Sequence, residues 1–236
     1  MTGREFEAVA DHAGAAYLRY SFTKGTAQEV GFLVEAVGLH PGMRVLDVGC
    51  GPGRHALALR AQGIDVVGLD LALAFLRTAG PGSWVRADAR TVPFPNGAFD
   101  AVICLCQGGF GLLGGRGETA ALAEMARVLR PGGRLALSAF SSYFAVRYLE
   151  EGDRFDADTG VNHEQASVRS PGGAEQDFDL HTTCFTPTEL RLMAAGAGLA
   201  VDHLWSVAPG RYARRAPDLD HPEWLMVATR CDRAPV

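Results

Sequence analysis

The sequence predicts an α/β protein built on a doubly wound parallel sheet. Three observations predict it. Between residues 43 and 140, short apolar runs alternate with segments of helical periodicity. The run FDAVICLC (99–106) is apolar at nearly every residue, as a strand covered on both faces must be. The connections are short, which implies right-handed crossovers with helices on both sides of one sheet.

Each element has its own signal. MRVLDV (43–48) is a strand bounded by Pro41-Gly42 and by glycines, and RHALALRAQG (54–63) is a helix with Gly63 just past its end. IDVVGLD (64–70) is a second strand, and LALAFLRTAG (71–80) is a short helix stopped by Gly80-Pro81. SWVRAD (83–88) and FDAVICLC are the third and fourth strands. Residues 118–130 repeat Leu122, Met125, Ala126 and Leu129 at helical spacing, Pro131-Gly132-Gly133 ends that helix, and RLALSAF (134–140) is a fifth strand. HEQASVR (163–169) and EQDFDLHTTCF (175–185) flank Ser170-Pro171-Gly172-Gly173 and read as an antiparallel hairpin. TPTELRLMAAGAG (186–198) opens with Thr186 and Glu189 in a capping-box pattern, and LAVDHLWSV and PEWLMVATR are two late strands. The expected organisation is one domain over 1–236, with an N-terminal cap (1–40) and an inserted substrate lid (141–185).

Composition excludes several function classes. Of the 236 residues, 27 are acidic and 22 basic, a net charge of −5 that argues against a nucleic-acid or anionic-membrane binder. The five cysteines are odd in number and lack CxxC spacing, so neither a disulfide framework nor a metal site is expected. The longest apolar run, AVICLC, is far too short to span a bilayer, and the first residues carry no basic-then-apolar leader. The expectation is a reduced cytoplasmic protein, monomer or homodimer, acting on a small molecule.

The most informative stretch is VLDVGCGPGRHALAL (45–59). An apolar strand, then Gly49, Gly51 and Gly53, then a helix lets bare main chain approach a ligand and aims free N–H groups at it. Gly51-Pro52-Gly53-Arg54-His55-Ala56 fits the dinucleotide fingerprint, which would make the chain an NAD-dependent oxidoreductase. Asp47 opposes that reading, because a carboxylate repels a pyrophosphate but welcomes a ligand with an ammonium group. Pro52 also removes one N–H from the loop.

Together, VLDVGCGPG, VVGLD ending in Asp70, RADARTVPF with Asp88, FDAVICLC and LRPGGRLALS resemble, in this order, the class I S-adenosylmethionine (SAM) dependent methyltransferases of small-molecule type. The resemblance spans the first five strands. It implies a Rossmann-like, doubly wound, seven-stranded sheet, mostly parallel with its last strand antiparallel. It also implies SAM as cofactor. Asp70 would accept from the ribose hydroxyls, bonds that to a charged acceptor are worth roughly 1.5–3 kcal/mol each. Asp88, with the Ala89 main chain, would meet the adenine amino group, and Leu71 would pack on the adenine face. Asp47 and Gly49 would face the methionine moiety, with Cys50, Gly51 and Gly53 completing the loop, while Leu105 and Gln107 would close around the methyl group. Tyr17 and Tyr20, with Phe22, would fold over the sulfonium and attract it through their ring faces.

Methyl transfer needs a base only where the nucleophile must lose a proton. His181 and His163 on facing hairpin strands, Glu164 beside them, and Tyr143 after the fifth strand are the candidates, whereas His55, on the first turn after the glycine loop, either reaches the pocket or, as the favoured reading, sits on the helix surface. A second reading keeps fold and cofactor but uses SAM in a non-methylating reaction such as a cyclisation.

Overall fold

The computed structural model describes residues 5–231 except 107 and 115. A seven-stranded sheet is formed by β1 (Arg44–Val48), β2 (Asp65–Asp70), β3 (Ser83–Arg86), β4 (Phe99–Cys104), β5 (Leu129–Phe140), β9 (Leu199–Val207) and β10 (Glu223–Arg230). Its order is β3-β2-β1-β4-β5-β10-β9. The first five strands run parallel to their neighbours, and β10 inserts antiparallel between β5 and β9. This is the mostly parallel sheet with an antiparallel last strand that the resemblance implies.

Strand alternation explains the two-sided winding. Leu46, Val102, Cys104, Leu135 and Leu137 point to one face, where they meet Leu122 and Met125 of α5 (Arg116–Val128) and Leu190 of α7 (Pro187–Gly196). Val45, Ala101, Ile103 and Ala136 point to the other, against Leu33 and Val37 of α2 (Thr26–Val37) and Leu59 of α3 (Arg54–Arg60). Strands buried on both faces cannot alternate polar with apolar, which is why FDAVICLC carries no polar stripe.

Element ends shift by a few residues throughout, and two differences from the sequence reading are larger. β5 starts at Leu129 rather than 134, because Pro131-Gly132-Gly133 is absorbed as a register irregularity opposite β4. The expected hairpin is a three-stranded sheet: β6 (Arg154–Asp156), β7 (Val161–Arg169) and β8 (Glu175–Thr183). A three-residue strand carries too short a pattern to be read by periodicity.

The N-terminal segment ties this second sheet to the main one. Phe6, Val9 and Ala10 of α1 (Glu5–Ala13) pack against Val168 on one side and against Phe75 of α4 (Leu73–Thr78) on the other. His12 Nε2 reaches the carbonyls of Val168 and Ala174 at 3.1 Å each, and the Arg169 N–H donates to the Tyr20 hydroxyl at 3.1 Å.

The capping box of α7 is formed. Thr186 Oγ1 accepts from the Glu189 N–H at 3.2 Å, and Glu189 Oε2 accepts from the Thr186 N–H at 2.6 Å. Thr186→Ala is expected to cost about 1 kcal/mol. In a chain of this length that lowers the melting temperature by roughly 2–4 °C in a thermal scan.

Candidate functional site

The glycine loop lies at the carboxyl end of β1, where open α/β sheets bind their ligands. The Gly49 and Cys50 N–H groups both bond the Leu69 carbonyl, at 2.7 and 3.0 Å, which clamps the turn to β2. Gly49 has φ 69° and Gly51 has φ 54°, in the left-handed region that glycine tolerates best. A Cβ on Gly49 would drive into the Gly108 carbonyl carbon, whereas one on Gly51 would meet nothing closer than Phe75 at 3.9 Å. The loop therefore passes main chain to main chain against Gly108 and leaves Gly51 open toward a cavity.

That cavity has a volume of about 370 Å³. Gly49, Cys50 and Gly51 form its floor, Asp70, Leu71, Asp88 and Ala89 one wall, and Leu105, Cys106 and Gly108 the other. Tyr17, Tyr20, Phe22 and Phe75 cover it from the N-terminal side, and Glu164, Ala166, Val168, Leu180 and Thr182 from the second sheet. Tyr17 sits 4.7 Å from Phe75 and 5.4 Å from Phe22, ring centre to ring centre.

The carboxylates beneath the loop are unusual. Asp47 is 1 % exposed, and its Oδ2 has no hydrogen-bond partner. Burial, helped by the nearby Asp70 charge, raises its carboxyl to about 7 despite the opposing charge of Arg54. Asp70 Oδ2 accepts from the Gly51 N–H and its Oδ1 from the Ala72 N–H, both at 2.7 Å. Burial still raises Asp70 to about 6. Asp88 is engaged by its neighbour: Arg90 Nη2 donates to Oδ2 at 2.6 Å and Arg90 Nε to Oδ1 at 2.9 Å.

The predicted residues divide clearly. Gly49, Cys50, Gly51, Asp70, Leu71, Asp88, Ala89, Leu105, Tyr17 and Tyr20 line the cavity. Asp47, in β1 and 1 % exposed, is not among the lining residues. Gly53 caps α3 with φ 81°, and its Cβ direction points into the Trp84 ring rather than the cavity. Gln107 lies outside the described residues. His163 and His181 do pair across β7 and β8, with rings 4.6 Å apart. Strand alternation puts them on the opposite face from Glu164, outside the lining. Tyr143 is 42 % exposed, packs on Trp224, and does not line the cavity either.

Sequence reading missed one cluster. His55 is buried and lines the cavity rather than lying on a helix surface, because α2 covers α3 and brings Glu29 within 2.7 Å of its Nε2. Arg54 donates to the same Glu29 oxygen at 2.5 Å and to Cys106 Sγ at 2.8 Å. Burial would raise the Glu29 carboxyl, but His55 and Arg54 outweigh it and hold it at about 2. Glu29, His55 and Cys106 have ligand atoms within 4.8 Å of one another, yet the guanidinium occupies two of them, so the trio is a charge-compensated brace. Gly108 and Gly109 were the other omission; a glycine pair just after a buried strand was the signal.

A cavity floored by a glycine turn at the carboxyl ends of a doubly wound sheet defines a cofactor-binding α/β protein. The family model described as "Methyltransferase domain" matches residues 45–133. Over 211 residues the chain is 30 % identical to a malonyl-[acyl-carrier protein] O-methyltransferase of Serratia marcescens, covering 84 % of this chain and 80 % of that one. It is 40 % identical over 113 residues to a demethylmenaquinone methyltransferase of Renibacterium salmoninarum, covering 46 % of each chain. The chain thus spans about half the length of several of the curated relatives it matches. Among solved structures, the SAM-bound amino pentose methyltransferase CalS10 of Micromonospora echinaspora superposes with TM-score 0.64 at 28 % identity, covering 92 % of this chain and 95 % of that one. The CcbJ methyltransferase of Streptomyces caelestis shares the fold at TM-score 0.72 and 20 % identity, covering 87 % and 89 %. The chain belongs to the class I SAM-dependent methyltransferase family.

Proposed function

We propose that this chain moves the methyl group of SAM to a nucleophilic O, N or C atom of a small molecule. The observation that carries this reading is the pairing of an open glycine floor at Gly51 with a buried carboxylate oxygen on Asp47 that has no partner inside the protein. An orphaned buried acceptor costs free energy unless a ligand satisfies it, and the ammonium of a methionine moiety is such a ligand. Asp70 holds the ribose hydroxyls through the acceptor capacity its two amide bonds leave free. Leu71, Ala89 and Asp88 receive the adenine, and Leu105 lies against the methyl group.

When bound, the cofactor supplies a sulfonium-activated methyl group for an in-line displacement. The chain's own contribution is positioning and exclusion of water. Aligning the reactants can supply up to roughly 7–11 kcal/mol of the barrier. Residues 1–40 serve as a cap, placing Tyr17 and Tyr20 over the sulfonium, and 141–185 as a lid. Of the base candidates, Glu164 is the one that lines the cavity; His163, His181 and Tyr143 would need the lid to rearrange. A cavity of about 370 Å³ roofed on two sides suits a small acceptor better than a macromolecule.

The test is calorimetric titration with S-adenosylhomocysteine, the demethylated product. A 1:1 complex is expected, and Asp70→Ala should weaken it at least tenfold, as the loss of charge-assisted ribose bonds implies. Circular dichroism on the same sample checks that the variant is folded. Unchanged affinity in a folded Asp70→Ala protein, or tighter binding of NADH than of SAM by the parent, removes this reading.

A further inference from the structure

A second cavity, of about 330 Å³, opens off the first and shares Phe140, Glu164, Ala166 and Thr182 with it. Glu164 therefore stands at the junction. Every ionisable side chain with carboxylate or cationic character on the wall of this chamber is acidic: Glu150, Asp153 and Glu164, with no Lys, Arg or His among the described residues that line it.

Asn162 supplies an independent observation. It is 9 % exposed, lines the chamber, and its Oδ1 has no hydrogen-bond partner. Its Nδ2 donates one of its two N–H groups to Glu164 Oε2 at 3.4 Å, while Oδ1 remains an unfilled acceptor. Ser141 Oγ, also on the lining, accepts from the Phe144 N–H at 3.2 Å. The Tyr148 hydroxyl donates to Asp220 at 2.8 Å, and its ring, on the lining with Phe144 4.6 Å away, has the Arg147 guanidinium 5.6 Å from its centre. Burial raises the Glu164 carboxyl, and Asp153 and Glu150 raise it further. The chamber offers negative charge, a bare carbonyl oxygen and aromatic side chains, and the cation nearest its lining, Arg147, is drawn away by Asp220 at 3.4 Å.

From this arrangement we propose that the acceptor substrate carries a basic aliphatic amine, whose ammonium group is held in this chamber by Glu164, Asp153 and the Asn162 carbonyl. Three acceptors and an aromatic wall complement an alkylammonium, which donates in several directions and is attracted to ring faces. A carboxylate or phosphate would meet only repulsion here, and an uncharged acceptor would leave the acids uncompensated. The inference rests on the methyltransferase reading and refines its substrate class.

The experiment uses the full chain saturated with S-adenosylhomocysteine and a panel of amino sugars and alkylamines, each paired with its uncharged N-acetyl derivative. Calorimetry is expected to find amines bound at least tenfold more tightly than their acetylated partners. Glu164→Gln and, separately, Asp153→Asn should each cut that preference to threefold or less; the second tolerates substitution because Asp153 is only partly buried. Equal binding of the pairs, preference for the acetylated members, binding of magnesium or calcium chloride in the amine's place, or no binding by any amine overturns the proposal. Nucleoside binding is measured on the same samples: if that is lost in the parent chain the methyltransferase reading falls, and if it persists without amine preference only the substrate assignment falls.

Discussion

Gly49→Ala is expected to destabilise the protein by more than about 4 kcal/mol, the range reserved for gross steric conflict, and to abolish nucleoside binding. Two independent penalties meet there. At φ 69° an alanine pays on the order of 1–2 kcal/mol in backbone strain alone. Its methyl group would also occupy the Gly108 carbonyl, and neither strand end can retreat, because the Gly49 N–H is fixed to Leu69 and Gly108 to Leu105. Gly51→Ala is the internal control. It pays comparable strain at φ 54°, but its methyl has no neighbour closer than 3.9 Å, so a loss of about 1–2 kcal/mol and a folded product are expected. Urea unfolding midpoints for the two variants check the contrast. A Gly49→Ala protein as stable as Gly51→Ala would show that the close approach of these two loops is not a constraint.

The strands and their helices were legible because this sheet is buried on both faces. Apolar runs such as FDAVICLC leave little ambiguity when Gly and Pro mark their ends. The antiparallel insertion of β10 is different: no local pattern distinguishes it from one more parallel strand, and only the family resemblance supplied it. The cavity floor was legible for the same reason as the strands, since Gly49, Gly51, Asp70 and Asp88 lie within a few residues of strand ends. The Glu29–Arg54–His55–Cys106 brace was not, because it joins α2, α3 and the end of β4, and no spacing along the chain encodes that meeting. The hairpin shows the limit most clearly. Opposite placement of His163 and His181 followed from the turn, but which face looks inward depends on α1 docking against Val168, a tertiary event that put Glu164 inside and both histidines outside.

Asp47→Asn is expected to raise stability while lowering affinity, and the two changes share one cause. The Asp47 carboxyl stands at about 7 in the folded chain against roughly 3.9 unfolded. The folded state therefore binds more protons than the unfolded state between those values, so stability falls as pH rises from about 4 to about 7. The stabilising proton is fully present below the unfolded value and is lost as pH passes the folded one. A shift of three units corresponds to about 4 kcal/mol at pH 8. Asparagine, uncharged throughout, should recover much of that, flattening the stability profile in denaturant melts at pH 4 to 8 while leaving the two proteins similar near pH 4. The same substitution removes the charge that the ligand's ammonium group meets. In the parent chain that group favours the ionised carboxyl, so affinity for S-adenosylhomocysteine should climb as pH rises through 7, with proton release visible as a dependence of binding heat on buffer. In Asp47→Asn the part of the climb near pH 7 should vanish, leaving only the rise that follows Asp70 near 6, and affinity at pH 8 should drop about tenfold, the cost of one charge-assisted bond. A site kept at the expense of the fold that houses it is how a binding carboxylate differs from a structural one. If Asp47→Asn instead weakened the fold at pH 8, Asp47 would be holding the loop together rather than waiting for a cation.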